Sequence, residues 1–504
     1  MIKILSILKK NWLIFLIIAL ALGLRLYRLP SYMTFLGDEG RDALVWLRMT
    51  RGKLTLIGPQ TSIGNMYLGP LFYYLMLPFY LLLGTAGPSI GMALFGGGTT
   101  FLLWFVGKEW FSQKVGLLAA FLYALSPVAI VLSRSAWNPN IMPFFALLSV
   151  WGVWQFWQEG NFIWLAAEGV LLSFAVQSHY LGLLLVPFVG AFFIIKLISL
   201  KKTKAKKLKK FLIHFALCLL AFVVLTILPL VWFDLRHQFI NYQAFYKFFS
   251  ERQTTVDFKA YKAIPNLWPL WQMLVSRFLT GKNAVAGFWI SVLLLISTAF
   301  SVYLDEMKKK ARENKQALFL ICSWLLVGLI GMGLYKQHIY DHYFGFLFPT
   351  AFLLVALTLE KIWELGKMGR VFAFLIFFLL LGLSLAEIPL RYPPNQQMQR
   401  TAEISKKIIE YSGGKSFNLG MIAKQNYDAG YRYFLEKWGY QPLSIDAQKA
   451  ASTITQQLFV VCEEEVCQPI GHPQAEIANF GWAKLDKEWE FSWEVKLYRL
   501  VHND

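Results

Sequence analysis

Acidic residues stand close together in the segment GDEGRD at residues 37–42, shortly after the first apolar stretch. Asp38 and Asp42 are four residues apart and would share one face of a helix, whereas Asp38 and Glu39 would not. One carboxylate could therefore face a site while another pairs with Arg41. A positioned carboxylate can take the proton that a hydroxyl loses as it attacks a carbon atom. The alternative is a solvated acidic loop, because paired carboxylates mark functional sites only in a probabilistic way.

Polar and ionisable side chains also stand at the ends of later apolar stretches. They are of types that hold anions or donate hydrogen bonds, and each has a structural alternative. An arginine there can reach toward headgroups, an Asn before Pro can cap a helix, a histidine in a turn can be an interfacial hydrogen bonder, and lysines among aromatic residues form interface belts. The candidates are Arg134, Asn138, His179, Tyr180, Arg236, His237, Lys336, His338 and Tyr343.

Metal and nucleotide motifs are weak in this sequence. His338 and His342 are four residues apart and could share a metal ion, but no HExxH motif accompanies them. The sequence has no GxxxxGKS/T motif, so the glycines at 96–98 are better explained by helix packing than by nucleotide binding. It has no Asp-x-Asp either, which weakens a metal-held nucleotide sugar. No cofactor is therefore assigned, a divalent cation stays open, and an activated donor would arrive through the membrane.

The composition of the chain points to a membrane. Of its 504 residues, 57% are hydrophobic and 16% are charged, which is more apolar surface than one soluble core can bury. A net charge of +19 would elsewhere suggest nucleic acid, but here Lys and Arg form short runs between apolar stretches. We therefore expect an integral membrane protein that contacts the bilayer and has no nucleic-acid partner.

About eleven apolar stretches have, or nearly have, the length of a transmembrane helix. They are residues 11–29, 89–107, 115–132, 141–157, 162–178, 181–199, 211–231, 285–303, 316–334, 343–359 and 370–388. A cytoplasmic N-terminus places every strongly basic connection in the cytoplasm, including Lys201–Lys210 with seven lysines in ten residues. This topology requires one further apolar run, 67–83, which Pro78 interrupts, to lie as an interfacial helix on the outer face.

The C-terminal part of the chain is polar enough to form a small α/β domain. A helical pattern with Ile404 and Ile408 ends at Gly413-Gly414, and a second helix is expected over 427–438. The runs FNLGMIA, LFVVC and WEVKLYRL are typical of strands. A disulfide between Cys462 and Cys467 in this part would need an oxidising compartment.

These patterns divide the chain into two domains. Residues 1–388 are expected to form an all-α polytopic transmembrane domain with an outer loop at 30–88, and residues 389–504 an extracytoplasmic α/β domain. By its location the latter domain would help to bind an acceptor.

The order of the motifs resembles a known superfamily. An Asp-Glu pair outside the first span, an interfacial helix, an outer turn with Arg after the third span and a His-Tyr turn are similar to those of GT-C glycosyltransferases. The resemblance is greatest to protein O-mannosyltransferases and lipid A aminoarabinose transferases, often labelled glycosyltransferase family 39-like, and it covers roughly residues 10 to 350. It implies a GT-C-like fold, a polyprenyl-monophosphate sugar as donor, and transfer with inversion.

The resemblance also implies roles for individual residues. Asp38 would be the base, with Glu39 as its partner. Tyr343 resembles a family tyrosine near the donor phosphate, and the other polar candidates would complete the substrate site. Three basic residues would hold the lipid phosphate: Arg134, Arg236 and Lys336. The family often has Asp-Pro where this chain has Asn138-Pro139, and this departure weakens any role that needs two carboxylates, including metal binding.

We therefore expect a plasma-membrane glycosyltransferase that moves one hexose or pentose to a lipid, glycan or protein acceptor at the outer face. A transporter or flippase for a lipid-linked substrate is the main alternative, and it predicts ionisable residues near the middle of the membrane and repeated broken helices. A glycan ligase or polymerase would transfer a whole oligosaccharide instead. A purely structural scaffold gives no reason for carboxylates, arginines and histidines to gather on one side.

Overall fold

The computed structural model describes residues 11–62, 64–201, 205–251, 255–304, 311–491 and 493–503. These residues form two compact units. The helical unit comprises the residues up to Tyr27, Leu56–Pro78 and Pro88–Pro393. The mixed unit comprises Arg28–Thr55, Phe79–Gly87 and the residues from Pro394 onward. The mixed unit thus combines the C-terminal segment with two segments of the predicted loop 30–88.

Long apolar helices build the helical unit. Its α-helices are Trp12–Leu26, Leu71–Leu83 (which runs past the unit boundary at Pro78), Gly87–Trp110, Gln113–Leu125, Pro127–Leu132, Met142–Trp154, Ile163–Ser178, Leu185–Lys201, Ala205–Phe222, Leu228–Arg236, Ile240–Ser250, Ile264–Leu279, Ala284–Leu304, Ala311–Gly333, Phe348–Glu364 and Lys367–Ala386. Short 3₁₀ segments are Asn138–Ile141, Tyr180–Leu184, Ala260–Ala263, Asp341–Phe346 and Pro389–Arg391, and π segments are Gln155–Glu159 and Val223–Ile227.

Each of the eleven predicted apolar stretches contains α-helix in the described residues. Six helices there are long and apolar enough to cross a bilayer: Leu71–Trp110, Tyr180–Lys201, Ala205–Arg236, Ala284–Ser301, Glu313–Gly333 and Lys367–Ala386. Large apolar side chains on such helices are exposed, as at Leu220 (59%), Ile296 (63%) and Phe378 (58%). Apolar surface of this extent needs lipid, so the chain is an integral membrane protein. The number of crossings and their direction stay predictions.

The apolar run 67–83 forms the helix Leu71–Leu83. Pro78 lies inside this helix and does not end it, contrary to the interruption that the sequence predicts. A proline is tolerated in an apolar helix because neighbouring groups can satisfy the carbonyl that it leaves free. The interfacial position of the helix stays a prediction. Within the predicted basic connection Lys201–Lys210, residues 202–204 lie outside the described residues.

A buried arginine stabilises the break in the predicted third span. The span divides at Ser126, because Pro127 has no N–H to continue the helical hydrogen bonds. The carbonyls of Tyr123 and Ala124 at this break accept hydrogen bonds from the guanidinium of Arg25 at 3.4 and 3.2 Å. The polar groups at the break are thus paired inside an apolar helical packing.

A four-stranded sheet with helices on both faces forms the core of the C-terminal segment. The strands are β1 (Asn418–Ile422), β2 (Gln457–Cys462), β3 (Ala483–Phe491) and β4 (Val495–His502), in the order β1-β2-β4-β3. β1 and β2 are parallel, and the other two pairs are antiparallel. The α-helices of the mixed unit are Leu29–Tyr32, Gly37–Thr50, Gln397–Ser412, Ala429–Lys437, Ala450–Thr453 and Ala475–Phe480, with 3₁₀ segments Gly84–Ala86 and Ala447–Lys449.

The burial of β2 explains its continuous apolar sequence. Phe459 and Val461 pack under helix Gln397–Ser412, whereas Leu458 and Val460 pack on the opposite face. Side chains alternate between the faces of a strand, so a strand covered on both faces is apolar throughout. At its end, Cys462 forms a disulfide with Cys467.

Candidate active site

The predicted carboxylates begin the helix Gly37–Thr50, which we call the acid helix. Arg41 bridges two of them: its Nη1 donates to Asp38 Oδ1 at 2.9 Å, and its Nη2 lies 2.9 Å from Asp42 Oδ1. The predicted sharing of one helical face by Asp38 and Asp42 is thus confirmed. The Asp42 side chain is fully buried, whereas the Asp38 side chain is 40% exposed. Asp38 is therefore the member of the pair that a substrate can reach.

Glu39 caps its own helix. Its Oε2 accepts a hydrogen bond from the backbone N–H of Leu36 at 3.1 Å, as the glutamate at the third helical position of a capping box does. Burial raises the pKa of Glu39 to about 7, against two backbone hydrogen bonds that lower it. Near neutral pH this carboxyl therefore carries a proton for much of the time.

The C-terminal segment holds the start of the acid helix. Asn426 Oδ1 accepts a hydrogen bond from the Gly37 N–H at 2.7 Å, which occupies a donor that the first turn of a helix leaves open. The Tyr427 hydroxyl donates to Asp38 Oδ1 at 2.9 Å. Burial raises the pKa of Tyr427, so the hydroxyl keeps its proton and acts as the donor.

A second helix of the C-terminal segment runs along the acid helix. This anchor helix, Ala429–Lys437, approaches so closely that a Cβ on Gly40 would overlap the backbone of Gly430. At its far end Glu436 accepts hydrogen bonds from Arg48 at 2.8 Å and from Arg51 at 3.4 Å. The acid helix is thus fixed at its start, its middle and its end.

The helical unit contains a cluster of histidines and tyrosines. The His179 ring lies 4.7 Å from the Tyr343 ring and 5.8 Å from the His342 ring, and His342 packs on Trp137 at 4.3 Å. Burial lowers the pKa of His179 to about 4 and that of His342 to about 3. His179 Nδ1 accepts from the Leu181 N–H, which leaves Nε2 to carry the proton. The cluster offers neutral hydrogen-bond donors and acceptors and no positive charge at physiological pH.

Arg134 and Asn138 bind backbone carbonyls at helix ends. Arg134 is buried, and its Nη2 donates to the carbonyl of Tyr27 at 2.7 Å, just after the first described helix. Asn138 Nδ2 donates to the carbonyl of Ser178 at 2.6 Å. Last-turn carbonyls lack helical partners, so both side chains complete the helices that precede the polar turns.

Tyr180 ties the turn at 177–180 to the segment before helix Leu71–Leu83. Its hydroxyl donates to the carbonyl of Tyr67. Gln177 acts beside it, because its Oε1 accepts from the Leu71 N–H at 3.0 Å. The structure therefore gives both residues a positioning contact within the helical unit.

Asp234 and Arg236, in the segment 233–237, form no ion pair with each other in the described part of the chain. Asp234 instead accepts hydrogen bonds, at 2.9 and 2.8 Å, from two N–H groups that begin helix Ile240–Ser250. Arg236 is exposed and stacks on the Trp232 ring at 5.1 Å, and His237 is exposed as well.

Lys336 and His338 lie in an extended segment before the 3₁₀ helix Asp341–Phe346. Lys336 is exposed, with its Nζ 4.0 Å from Asp257. His338 precedes the helix, so the four-residue spacing of His338 and His342 does not place them on one helical face, as a shared metal ion at that spacing would need. In the part of the chain that is described, no three His, Cys, Asp or Glu side chains converge as a metal site would require.

The contacts from the C-terminal segment are those that sequence reasoning missed. Asn426 and Tyr427 stand 389 residues after their partners in the acid helix. Neither belongs to a motif, and Tyr427 could be assigned only to the start of a helix. A local pattern carries no information about such a distant contact.

A sequence comparison finds a family match in the membrane part. Residues 68–232 match the family "Dolichyl-phosphate-mannose-protein mannosyltransferase". Two proteins of Bacillus subtilis, YkcB and YycA, which are named as candidate mannosyltransferases, are 27% and 28% identical over 28% and 32% of this chain. The alignments span only 19% and 23% of the lengths of those relatives.

Solved structures share the fold over nearly the whole chain. ArnT from Cupriavidus metallidurans, in a structure bound to undecaprenyl phosphate, superposes with a TM-score of 0.60 at 13% identity, covering 96% of this chain and 97% of ArnT. The oligosaccharyltransferase AglB from Archaeoglobus fulgidus, in complex with an inhibitory peptide and a dolichol-phosphate, gives a TM-score of 0.56 at 13% identity, over 90% of this chain and 70% of AglB. The chain therefore shares the fold of ArnT and AglB over most of its length, in agreement with the GT-C-like fold expected from its sequence.

Proposed function

We propose that this protein transfers one sugar from a polyprenyl-phosphate donor to an acceptor at the outer face of the membrane, with Asp38 as the catalytic base. The observation that carries the proposal is the state of Asp38: a partly exposed carboxylate at the start of a helix, with one oxygen anchored by Arg41 and Tyr427. The lipid phosphates in the two solved GT-C structures support a donor of this class.

The proposed reaction is a single displacement at the anomeric carbon. The acceptor hydroxyl gives its proton to Asp38 as its oxygen forms the new glycosidic bond, and the bond to the lipid phosphate breaks on the opposite side, so the configuration inverts. A positioned base contributes about 10²- to 10⁴-fold to the rate of such a step. The energy comes from the phosphate–sugar bond of the donor, so no nucleotide is required.

The leaving phosphate gains negative charge and needs positive partners. Arg236 and Lys336 are exposed and remain the proposed phosphate ligands. Arg134 is buried on a backbone carbonyl, so we assign it a structural role. His179 and His342 are neutral at physiological pH, which suits hydrogen bonds to sugar hydroxyls better than binding of an anion.

The test is transfer of radiolabelled sugar from a panel of polyprenyl-phosphate donors in membranes with the native protein or Asp38→Asn. We expect the substitution to lower the rate about 10²- to 10⁴-fold at matched expression and folding. Glu465→Gln, which removes an exposed carboxylate from the same unit, is the control and should transfer at the native rate. An unchanged rate in Asp38→Asn would exclude Asp38 as the base.

Transport of a lipid-linked substrate is the second candidate, and Glu168 favours it. This carboxylate is fully buried near the middle of the apolar helix Ile163–Ser178, where it accepts a hydrogen bond from Ser149 at 2.6 Å. An ionisable residue within a span is a functional candidate by default. If the native protein transfers no sugar from any donor and Glu168→Gln abolishes movement of a labelled polyprenyl-phosphate sugar across vesicles, transport replaces transfer.

A further inference from the structure

We infer that Asn426 and Tyr427 are positioning residues for Asp38, so that the C-terminal segment sets the geometry of the proposed base. The catalytic part of this inference rests on the proposed function, whereas the anchoring contacts do not. The role differs from acceptor binding, which the location of the segment alone had suggested.

A chain of hydrogen bonds fixes the orientation of Asn426. Its Nδ2 donates to Glu463 Oε2 at 3.0 Å, which directs its Oδ1 toward the Gly37 N–H. Glu463 follows β2 directly, and its own N–H donates to the carbonyl of Ile422 at the end of β1 at 3.0 Å. Its other carboxylate oxygen accepts from the Tyr431 hydroxyl at 2.7 Å. The sheet therefore determines where the acid helix begins.

Tyr427 acts on the carboxylate itself. Its ring lies against Gly37 so closely that a Cβ there would overlap it, which fixes the hydroxyl over Asp38. Arg41 Nη1 and the Tyr427 hydroxyl both donate to Oδ1. Within the described residues Oδ2 has no hydrogen-bond partner, and it is the oxygen that remains to accept a proton. The two hydrogen bonds to Oδ1 thus fix the direction of Oδ2.

The Tyr427 hydroxyl is one of several groups around Asp38. The groups that face it are Arg41, Asp42 and Glu39 from the acid helix and Tyr427 from the C-terminal segment. Without the Tyr427 hydroxyl, Arg41 Nη1 is the remaining donor to Oδ1 in the part of the chain that is described. The carboxylate should then take up other orientations, and transfer should slow.

The first experiment compares the kcat and KM of Tyr427→Phe with those of the native full-length protein in the transfer assay. We expect kcat to fall about tenfold with little change in KM, because a hydrogen bond that orients the carboxylate is lost. Tyr440→Phe, which alters an exposed tyrosine of the same unit, is the matched control and should keep the native kcat and KM. A native kcat in Tyr427→Phe would overturn the role of Tyr427.

The second experiment needs no activity. Hydrogen exchange of residues 37–50 is measured in Asn426→Ala and in Asn479→Ala, a control at an exposed position of helix Ala475–Phe480. We expect exchange of the first turn to quicken about tenfold only in Asn426→Ala, because a partly buried hydrogen bond is lost. Unchanged exchange would overturn the inference whatever the activity. If the native protein transfers no sugar while Asn426→Ala loosens the helix, the proposed function fails and the anchoring stands.

Discussion

Glu39 links the stability of the mixed unit to pH. Its pKa is about 7 in the folded protein against an ordinary 4.5, because burial penalises the charged form. Folding therefore favours the protonated carboxyl: the stabilisation is complete below about pH 4.5 and is lost as the pH rises through about 7. The difference corresponds to about 3 kcal/mol in the free energy of unfolding. We expect the thermal midpoint at a fixed scan rate to fall between pH 5 and 8.

Glu39→Gln tests this account. The amide can still accept the hydrogen bond from Leu36 but cannot ionise, so the variant should unfold at the same temperature at pH 5 and 8 and exceed the native protein at pH 8. Glu403→Gln, at an exposed position of the same unit, should retain the native pH dependence. A Glu39→Gln variant that is stable but transfers no sugar would show that the carboxyl group of Glu39 takes part in the reaction.

At the scale of single residues, the sequence predicts what spacing determines. Asp38 and Asp42 share a face because they are four apart on a helix, and Arg41 pairs beside them. Arg134 and Asn138 stand in the predicted polar turn, but their partners are backbone carbonyls that become open only where particular helices end. No residue pattern states which carbonyls those are.

The acid helix depends on close packing with the anchor helix. At Gly40 an added Cβ would overlap the backbone of Gly430, and backbone atoms cannot turn aside as a flexible side chain can. We expect Gly40→Ala to separate the two helices, to destabilise the mixed unit by about 1 to 3 kcal/mol and to lower transfer through the displaced Asp38. Hydrogen exchange of residues 37–50 and the transfer rate measure the two effects.

Gly23→Ala is the matched control for this packing. A Cβ on Gly23 meets no atom within 4 Å, and the residue is likewise helical. Alanine in a helix is intrinsically better than glycine, so the control should be neutral or slightly stabilising. If Gly40→Ala behaves in the same way, close packing does not position the acid helix.

At the scale of elements, periodicity and apolar length predicted most helices and three strands. β3 was missed because its sequence AKLDKEWEF is largely charged and most of its side chains are exposed. Hydrogen bonding to β4 holds this segment as a strand, although its own composition does not favour one. Pro78 was expected to interrupt an apolar run, but the helix Leu71–Leu83 continues through it. The groups that surround a proline, and not its residue type alone, decide whether a helix continues.

For the whole molecule, length and composition predicted two parts but not how the chain is shared between them. Residues 28–55 and 79–87 belong to the same compact unit as the residues from Pro394 onward. The contacts responsible are Gly40 with Gly430, and Arg48 with Glu436. They join segments almost 400 residues apart, and a single sequence does not reveal which distant surfaces complement each other. Asp38, the proposed base, therefore lies in the mixed unit, whereas the sequence had assigned it to the transmembrane domain.

The disulfide gives a test of which side of the membrane the C-terminal segment occupies. The chain has four cysteines, of which Cys462 and Cys467 are paired and Cys218 and Cys322 are free. Such a bond persists in an oxidising compartment, so it agrees with an outer location for the segment. The unfolded protein should titrate two thiols without reductant and four after reduction.

Sidedness follows from labelling in intact cells. After treatment with a membrane-impermeant reductant, an impermeant thiol reagent should label the native protein but not the Cys462→Ser/Cys467→Ser variant. A cysteine placed at Lys209, in the predicted cytoplasmic connection, should be labelled only after the cells are permeabilised. The topology is inverted if labelling of the Cys462–Cys467 pair needs permeabilised cells while labelling of the Lys209→Cys site does not. Asp38 could not then act on acceptors outside the cell. If intact cells show labelling at the Cys462–Cys467 pair alone, the pair lies on the outer side. The acid helix belongs to the same compact unit and would then lie on the outer side as well, where the proposed transfer takes place.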